Sequence, residues 1–135
     1  MLHDFNTEFG DPSPGVAVIE KRVDAFIENG WMTYFLGGAG PDGFAQVSFR
    51  PTIWSDQPVA YIEELYVVPD LRRHGIGRSM MEAILAEAHR RKAYGVELVT
   101  GEDDLGARAL YERFGFRNKT EGEQNSRSLF YELKF

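Results

Sequence analysis

The segment from residue 59 to residue 88 constrains the fold more than any other part of the chain. An apolar run over Val59–Val68 predicts a strand that stops at Pro69, because proline cannot donate a hydrogen bond to a sheet. Apolar residues at helical spacing then occupy Gly77–Ala88, with polar residues on the opposite face. Gly75 and Gly77 lie between the two. The segment therefore predicts a strand, a short glycine-containing loop and an amphipathic helix.

The loop of this segment predicts an anion-binding site. A helix N-terminus presents unpaired N–H groups and a partial positive charge, and glycines let the backbone approach a ligand closely. Four residues add local positive charge: Arg72, Arg73, His74 and Arg78. The spacing of the glycines matches neither the Walker pattern nor the dinucleotide fingerprint. We therefore expect an anion of pyrophosphate size, bound in a different way.

Periodicity along the rest of the chain predicts one mixed α/β domain over residues 1–135. Helical spacing also occurs at residues 16–27 and 107–114, whereas alternation over residues 45–49 predicts a half-buried strand. Shorter strands are predicted at residues 32–36 and 96–100, and a terminal strand at residues 129–135. The order predicts hairpin-like strands first and crossover helices later.

Composition and charge exclude several classes of function. The chain has no cysteine, which excludes disulfides and thiolate metal sites, and its three histidines lack metal-ligand spacing. No apolar run approaches the ~18 residues of a membrane span, and the N-terminus lacks a secretory signal pattern. A net charge of −6 argues against nucleic-acid binding. We therefore predict a cytoplasmic protein without metal.

Two motifs resemble those of the GNAT (Gcn5-related) N-acetyltransferases. The strand that ends at Pro69 is followed by Arg72-x-x-Gly75-x-Gly77, which is similar to the family's Gln/Arg-x-x-Gly-x-Gly/Ala motif for acetyl-coenzyme A. The segment 104–116 is similar to the family's late helix, with Asp104 in place of an asparagine. The resemblance implies the GNAT fold, a mixed and mostly antiparallel sheet with helices on both faces. The family's usual first strand is predicted to be absent here.

The resemblance implies that acetyl-coenzyme A is a co-substrate and names the residues that would bind it. The family's splayed strand holds the pantetheine arm, and its glycine loop holds the pyrophosphate. Carried over to this chain, the coenzyme-binding residues are Tyr66, Val67, Val68, Arg72, Arg73, His74, Gly75, Ile76, Gly77, Arg78, Ser79, Asp104, Ala107 and Tyr111. Periodicity alone favours a core position for Tyr111, but the resemblance implies that it protonates the thiolate leaving group.

The general base is predicted to be Glu63 or Glu64. An alkylammonium titrates near pH ~10, so the acceptor amine must lose a proton before it attacks. Alternation along a strand places neighbouring side chains on opposite faces, so we expect at most one of the two at the site. Resemblance to polyamine-type members favours Glu63, and resemblance to some aminoglycoside-acetylating members favours Glu64. We favour Glu63, acting through a water molecule.

Acidic and aromatic residues predict a small cationic amine as the acceptor. Carboxylates and aromatic rings together suit a cation through charge pairing and cation–π contact. The candidates are Asp4, Phe5, Glu8, Phe9, Trp31, Tyr34, Trp54, Asp56 and Glu63. Acetylation of a protein lysine or N-terminus, or a non-catalytic acyl-coenzyme A sensor, remain as alternatives. The resemblance also makes a homodimer possible through the last strands.

Overall fold

The computed structural model describes residues 1–8, 10–40, 42–118, 131 and 133. They form two compact units, Met1–Leu98 and a second that begins at Val99. In chain order the elements are α1 (Leu2–Glu8), α2 (Val16–Glu28), β1 (Thr33–Gly37), β2 (Gly43–Thr52), β3 (Ser55–Val67), a 3-10 turn (Pro69–Leu71), α3 (Ile76–Arg90), β4 (Gly95–Leu98) and α4 (Leu105–Arg113). The predicted terminal strand lies outside the described residues, apart from positions 131 and 133.

The first unit is built on a mixed sheet with the strand order β1-β2-β3-β4. β1 and β2 pair antiparallel, β2 and β3 pair antiparallel, and β3 and β4 pair parallel. The α3 helix provides the crossover that a parallel pair requires. The prediction of a mostly antiparallel α/β sheet is therefore confirmed. Among the described residues no strand precedes α1.

Helices cover both faces of this sheet, as predicted. On one face Met80, Met81 and Ile84 of α3 are buried. A Cβ added to Gly37 would lie 2.7 Å from the side chain of Ile76, so the close approach of α3 to β1 requires glycine there. On the other face α1 packs the ring of Phe5 against two rings of the sheet. The ring centroids are 6.3 Å from Phe44 and 5.3 Å from Tyr66.

The β2–β3 hairpin is longer than the sequence predicts. β3 begins at Ser55, which pairs with Thr52 of β2, so Asp56 lies inside the strand and not in a loop before it. The start of β3 is polar, so its side chains do not show the apolar pattern of a strand. Its backbone groups pair with β2 whatever the side chains are. Trp54 lies at the tip of the hairpin, with 88% of its surface exposed.

No helix among the described residues has both the length and the hydrophobicity that a membrane crossing requires.

Candidate active site

β3 carries a β-bulge at Glu63. Gln46 of β2 pairs with Glu64, but its neighbour Val47 pairs with Ile62, so Glu63 has no partner across the ladder. An extra residue of this kind changes which face the following side chains occupy. The bulge therefore explains how both glutamates reach the face that α1 covers.

A buried hydroxyl group shows where the carboxylate of Glu63 lies. Ser48 of β2, which is 6% exposed, donates a hydrogen bond of 2.6 Å from its Oγ to the Oε1 of Glu63. Ser48 is two residues from Gln46, the partner of Glu64, so the two β2 residues share a face. The prediction that the glutamates lie on opposite faces is wrong, because strict alternation holds only in a strand without a bulge.

Folding changes the proton affinity of the Glu64 carboxylate. Burial raises the pKa of Glu64 above its usual value, and the nearby carboxylates of Glu63 and Asp11 raise it further. Within the described part of the chain, no side chain donates a hydrogen bond to this carboxylate. A carboxyl group with a raised pKa is suited to accept a proton near neutral pH.

Beyond this pair, the edge of β3 that faces away from β2 offers backbone donors. β4 pairs with β3 only as far as Ile62, and β3 continues to Val67. The N–H of Val68 donates to the carbonyl of Asp42 on the β2 side, at 2.9 Å. Because hydrogen-bonding directions alternate in an antiparallel ladder, the amides of Val67 and Leu65 point the other way. Val67 was among the predicted coenzyme-binding residues and Leu65 was not, since no side chain in the sequence marks a backbone donor.

The glycine loop has the backbone geometry of an anion site. Arg73 and Gly75 both have positive φ angles, 67° and 88°, which turn the chain sharply before α3. The first helical hydrogen bond runs from the N–H of Ser79 to the carbonyl of Gly75. Among the described residues, the amides of residues 76–78 donate to no backbone carbonyl. Unpaired amides at a helix start are the kind of donor that an anion site requires, so the loop remains a predicted anion site.

The side chain of Arg72 points to α1. Its Nε donates to the carbonyl of Val67 at 2.9 Å, and its guanidinium forms an ion pair of 2.7 Å with Glu8. The same guanidinium lies 5.6 Å from the ring centre of Tyr66. Arg72 therefore connects the coenzyme loop to the helix that was predicted to bind the acceptor.

Glu8 receives a second hydrogen bond, from the hydroxyl of Tyr66 at 2.8 Å. Burial alone would raise the pKa of Glu8, but the hydrogen bonds from Tyr66 and Arg72 outweigh it and lower that pKa. Burial and the contact with Glu8 both raise the pKa of the Tyr66 phenol. Glu8, which was predicted to bind the acceptor, and Tyr66, which was predicted to bind the coenzyme, thus belong to one hydrogen-bonded cluster.

The remaining loop side chains make local contacts. The Nδ1 of His74 lies 2.9 Å from the carbonyl oxygen of Arg72, and Arg78 pairs with Glu82 one turn further along α3. The hydroxyl of Ser79 donates to the carbonyl of Ile76. These contacts leave the backbone amides of the loop available as donors.

The other predicted acceptor residues are scattered. Asp4 pairs with the N-terminal ammonium group at 2.9 Å, and Trp31 is 62% exposed beside Phe26. Trp54 lies roughly 30 Å along the hairpin from Glu63 at ~3.3 Å per strand residue, so it does not join the site. The hydroxyl of Tyr34 is buried and has no hydrogen-bond partner within the described residues. Phe9 lies outside the described residues.

The second unit contains the late helix. Asp104 is the N-cap of α4, where its Oδ1 accepts a hydrogen bond of 3.0 Å from the N–H of Ala107. Tyr111 is buried, and its ring centre lies 6.0 Å from that of Phe116. Aspartate therefore performs the capping role at the position where the family pattern has asparagine.

The fold and the site together define an α/β domain in which a strand with a pair of carboxylates is followed by a glycine loop with unpaired backbone amides. The chain belongs to the acetyltransferase (GNAT) family, whose model matches residues 2–116. Within the described residues, no group of three His, Cys, Asp or Glu side chains could hold a metal ion.

Comparison with curated proteins finds partial matches. The chain is 39% identical over 61 residues to an uncharacterized N-acetyltransferase of Methanocaldococcus jannaschii, which is 45% of this chain and 27% of that protein. It is also 39% identical over 66 residues to N-alpha-acetyltransferase 40 of Saccharomyces cerevisiae, covering 44% and 23% of the two chains. The chain thus matches about a quarter of the length of each of these two proteins.

Solved structures share the whole fold. A protein of Arthrobacter sp. FB24 assigned as an acetyltransferase superposes with a TM-score of 0.90 and 35% identity, over 99% of this chain and 85% of that one. The aminoglycoside acetyltransferase AAC(6')-Iy, in complex with a bisubstrate analogue of coenzyme A and neamine, gives a TM-score of 0.69 at 19% identity. That match covers 92% of this chain and 84% of the other, and it shows the fold alone.

Proposed function

We propose that the chain is an N-acetyltransferase that transfers the acetyl group of acetyl-coenzyme A to a primary amine. The observation that carries the proposal is the continuity of β3. The carboxylate pair of Glu63 and Glu64, the outward amides of Leu65 and Val67, and the amide-rich loop follow one another along a single stretch of chain. This order places acid–base groups first, then N–H groups that can donate to a carbonyl oxygen, and then an anion site. Such an order suits an acyl thioester of a nucleotide.

The coenzyme is bound in this proposal chiefly by backbone groups. The amides of residues 76–78 hold the pyrophosphate, and the pantetheine arm runs along the outward edge of β3. An amide of that edge, from Leu65 or Val67, donates to the thioester oxygen as negative charge develops on it. Preorganised N–H donors of this kind are among the largest contributions to catalysis.

The chemical step is direct transfer between the two bound substrates. The amine nitrogen attacks the thioester carbon, the new C–N bond forms, and the C–S bond breaks. The proton from the amine passes to Glu64, directly or through water, and the coenzyme thiolate takes a proton from Tyr111. We favour Glu64 over Glu63 as the base because Ser48 already occupies one oxygen of Glu63, whereas the Glu64 carboxylate has the raised pKa.

The acceptor in this proposal is a small cationic amine. Asp11, Glu63 and Glu64 place negative charge at the face that α1 covers, which favours a cation there. A second candidate is a protein N-terminus. It is favoured by the 39% identity to part of the yeast N-alpha-acetyltransferase 40. The homodimer and the cytoplasmic location remain predictions, and sedimentation of the purified protein would measure the first of them.

The proposal is tested by following thiol release from acetyl-coenzyme A with polyamines, aminoglycosides, amino acids and short peptides. We expect turnover with one class of amine. Turnover only with peptides would move the acceptor to the second candidate. A rise in melting temperature with acetyl-coenzyme A but no turnover would favour the sensor. Absence of both turnover and a thermal shift would contradict coenzyme binding altogether.

A further inference from the structure

We infer that Glu63 is a positioning residue for Glu64, because the β-bulge and the hydrogen bond from Ser48 bring both carboxylates to one face of the sheet. The inference deepens the proposed function, since it assigns separate roles to the two acids of the same site. In a regular strand neighbouring side chains point to opposite faces, and the two charges would be separated by the sheet. The unpaired residue at Glu63 removes that separation.

The hydrogen bond from Ser48 fixes the position of the Glu63 carboxylate. The 2.6 Å bond holds the carboxylate on the same face as Glu64, and its donor lies on a different strand. Glu63 is therefore held on the face where Glu64 lies, and its carboxylate adds to the effect of burial in raising the pKa of the half-buried Glu64.

Other charged or titratable groups on this face affect Glu64 less directly. Asp11, in the segment between α1 and α2, adds a negative charge that acts in the same direction as Glu63. Glu8 is neutralised by its ion pair with Arg72, at the Tyr66 end of the strand.

On the neighbouring strands the charges are fewer. The guanidinium of Arg50 on β2 is stacked 4.0 Å over the ring of Tyr61, and the neutral phenol of Tyr34 on β1 lies in the same cross-strand row as Gln46 and Glu64. Among these groups Glu63 is the one adjacent to Glu64 in the chain. Its charge can be removed without a change of shape, since glutamine is isosteric with glutamate.

A direct titration of Glu64 tests the inference without any acceptor or turnover. The side-chain carboxyl carbons of isotope-labelled protein are followed by NMR from acid to neutral pH. The resonance absent from Glu64→Gln identifies Glu64. We expect its midpoint to lie above that of an ordinary glutamate in the wild type, and to fall by about 0.5 to 1 pH unit in Glu63→Gln. The glutamine oxygen still accepts from Ser48, so the fold is retained.

Three further measurements separate the effect of charge from an effect on structure. Glu97→Gln, an exposed glutamate of β4, removes the same charge from the same sheet and should leave the midpoint of Glu64 unchanged. Ser48→Ala frees Glu63 to rotate towards water, and should lower the midpoint by less than Glu63→Gln. In the wild type alone, salt raised from about 0.05 to 0.5 M should lower the midpoint, because salt screens the repulsion between the carboxylates.

An unshifted midpoint in Glu63→Gln would overturn the inference, as would a wild-type midpoint that does not respond to salt. Neither result would affect the proposed transferase activity, which thiol release measures independently. Conversely, a protein without turnover would still show the coupled titration, because the coupling depends only on the bulge and on Ser48.

Discussion

The coenzyme loop at residues 72–79 and the bulge at Glu63 lie less than a dozen residues apart, yet they are specified in different ways. The loop is built from local features, a strand end, a left-handed Gly75 and a helix start, so each part is visible in the sequence. The bulge depends on how β3 pairs with β2, which lies more than a dozen residues earlier in the chain. The proposed anion site is therefore encoded locally, whereas the proposed acid–base site depends on the pairing of strands.

The largest expected effect concerns the bulge. Glu64→Gln removes the proposed base, and we expect turnover to fall about 100-fold at neutral pH, while the thermal shift by acetyl-coenzyme A is unchanged. The loss should shrink at high pH, where free amine is abundant. In the wild type, activity should rise with pH through the raised pKa of Glu64, since the base works only when it is ionised. A loss independent of pH would argue that Glu64 serves binding or folding and not proton transfer.

The next effect concerns the loop. Gly75→Glu places a side chain at a φ of 88° and a negative charge beside the pyrophosphate donors. We expect the affinity for acetyl-coenzyme A to fall about tenfold or more, measured by calorimetry. Gly30→Glu is the matched control, because Gly30 also has a positive φ, 67°, and open space around it. Equal losses in the two variants would show a general effect of strain and charge.

A smaller effect is expected in the second unit. Tyr111→Phe keeps the ring that packs near Phe116 but removes the hydroxyl. If Tyr111 protonates the thiolate, turnover should fall about tenfold while the dissociation constant of the coenzyme stays the same. Steady-state kinetics and calorimetry on the same preparation separate the two quantities. A parallel loss of turnover, affinity and melting temperature would instead indicate that the tyrosine serves packing.

The smallest effect tests the contact between the loop and α1. Glu8→Gln removes the ion pair with Arg72 and weakens the hydrogen bond from Tyr66. We expect a loss of stability of about 1 kcal/mol, because the pair is partly exposed. Since the pKa of Glu8 is lowered by folding, this contribution is present above the unfolded pKa near 4.5 and is lost as the pH falls through the folded value. Denaturant unfolding at several pH values measures it.

The same variant also decides the role of Arg72. We expect the affinity for acetyl-coenzyme A to be unchanged in Glu8→Gln, since the amides of the loop carry the anion site. A gain in affinity on release of the arginine would show that Arg72 binds the pyrophosphate itself, as the family resemblance implies.

Several features of the protein could be predicted from sequence because their causes lie within a few residues of each other. The strand that stops at Pro69, the turn at Gly75 and the apolar stripe of α3 each follow from local backbone and hydrophobic rules. The order of these elements, with the two motifs, was sufficient to predict the mixed sheet and the family. The early start of β3 was not predictable, because its polar residues are held by pairing with β2.

The sequence by itself determined the family and the fold class, and it predicted the position of an anion site, since these depend on periodicity and on a short motif. Tertiary structure decided the chemistry of the carboxylates. Only the register between β2 and β3 leaves Glu63 unpaired, turns it towards Glu64 and brings Ser48 within 2.6 Å of it. Likewise, only folding brings Glu8 to Arg72. Charge interactions depend on distances in space, and no local pattern in the chain records those distances.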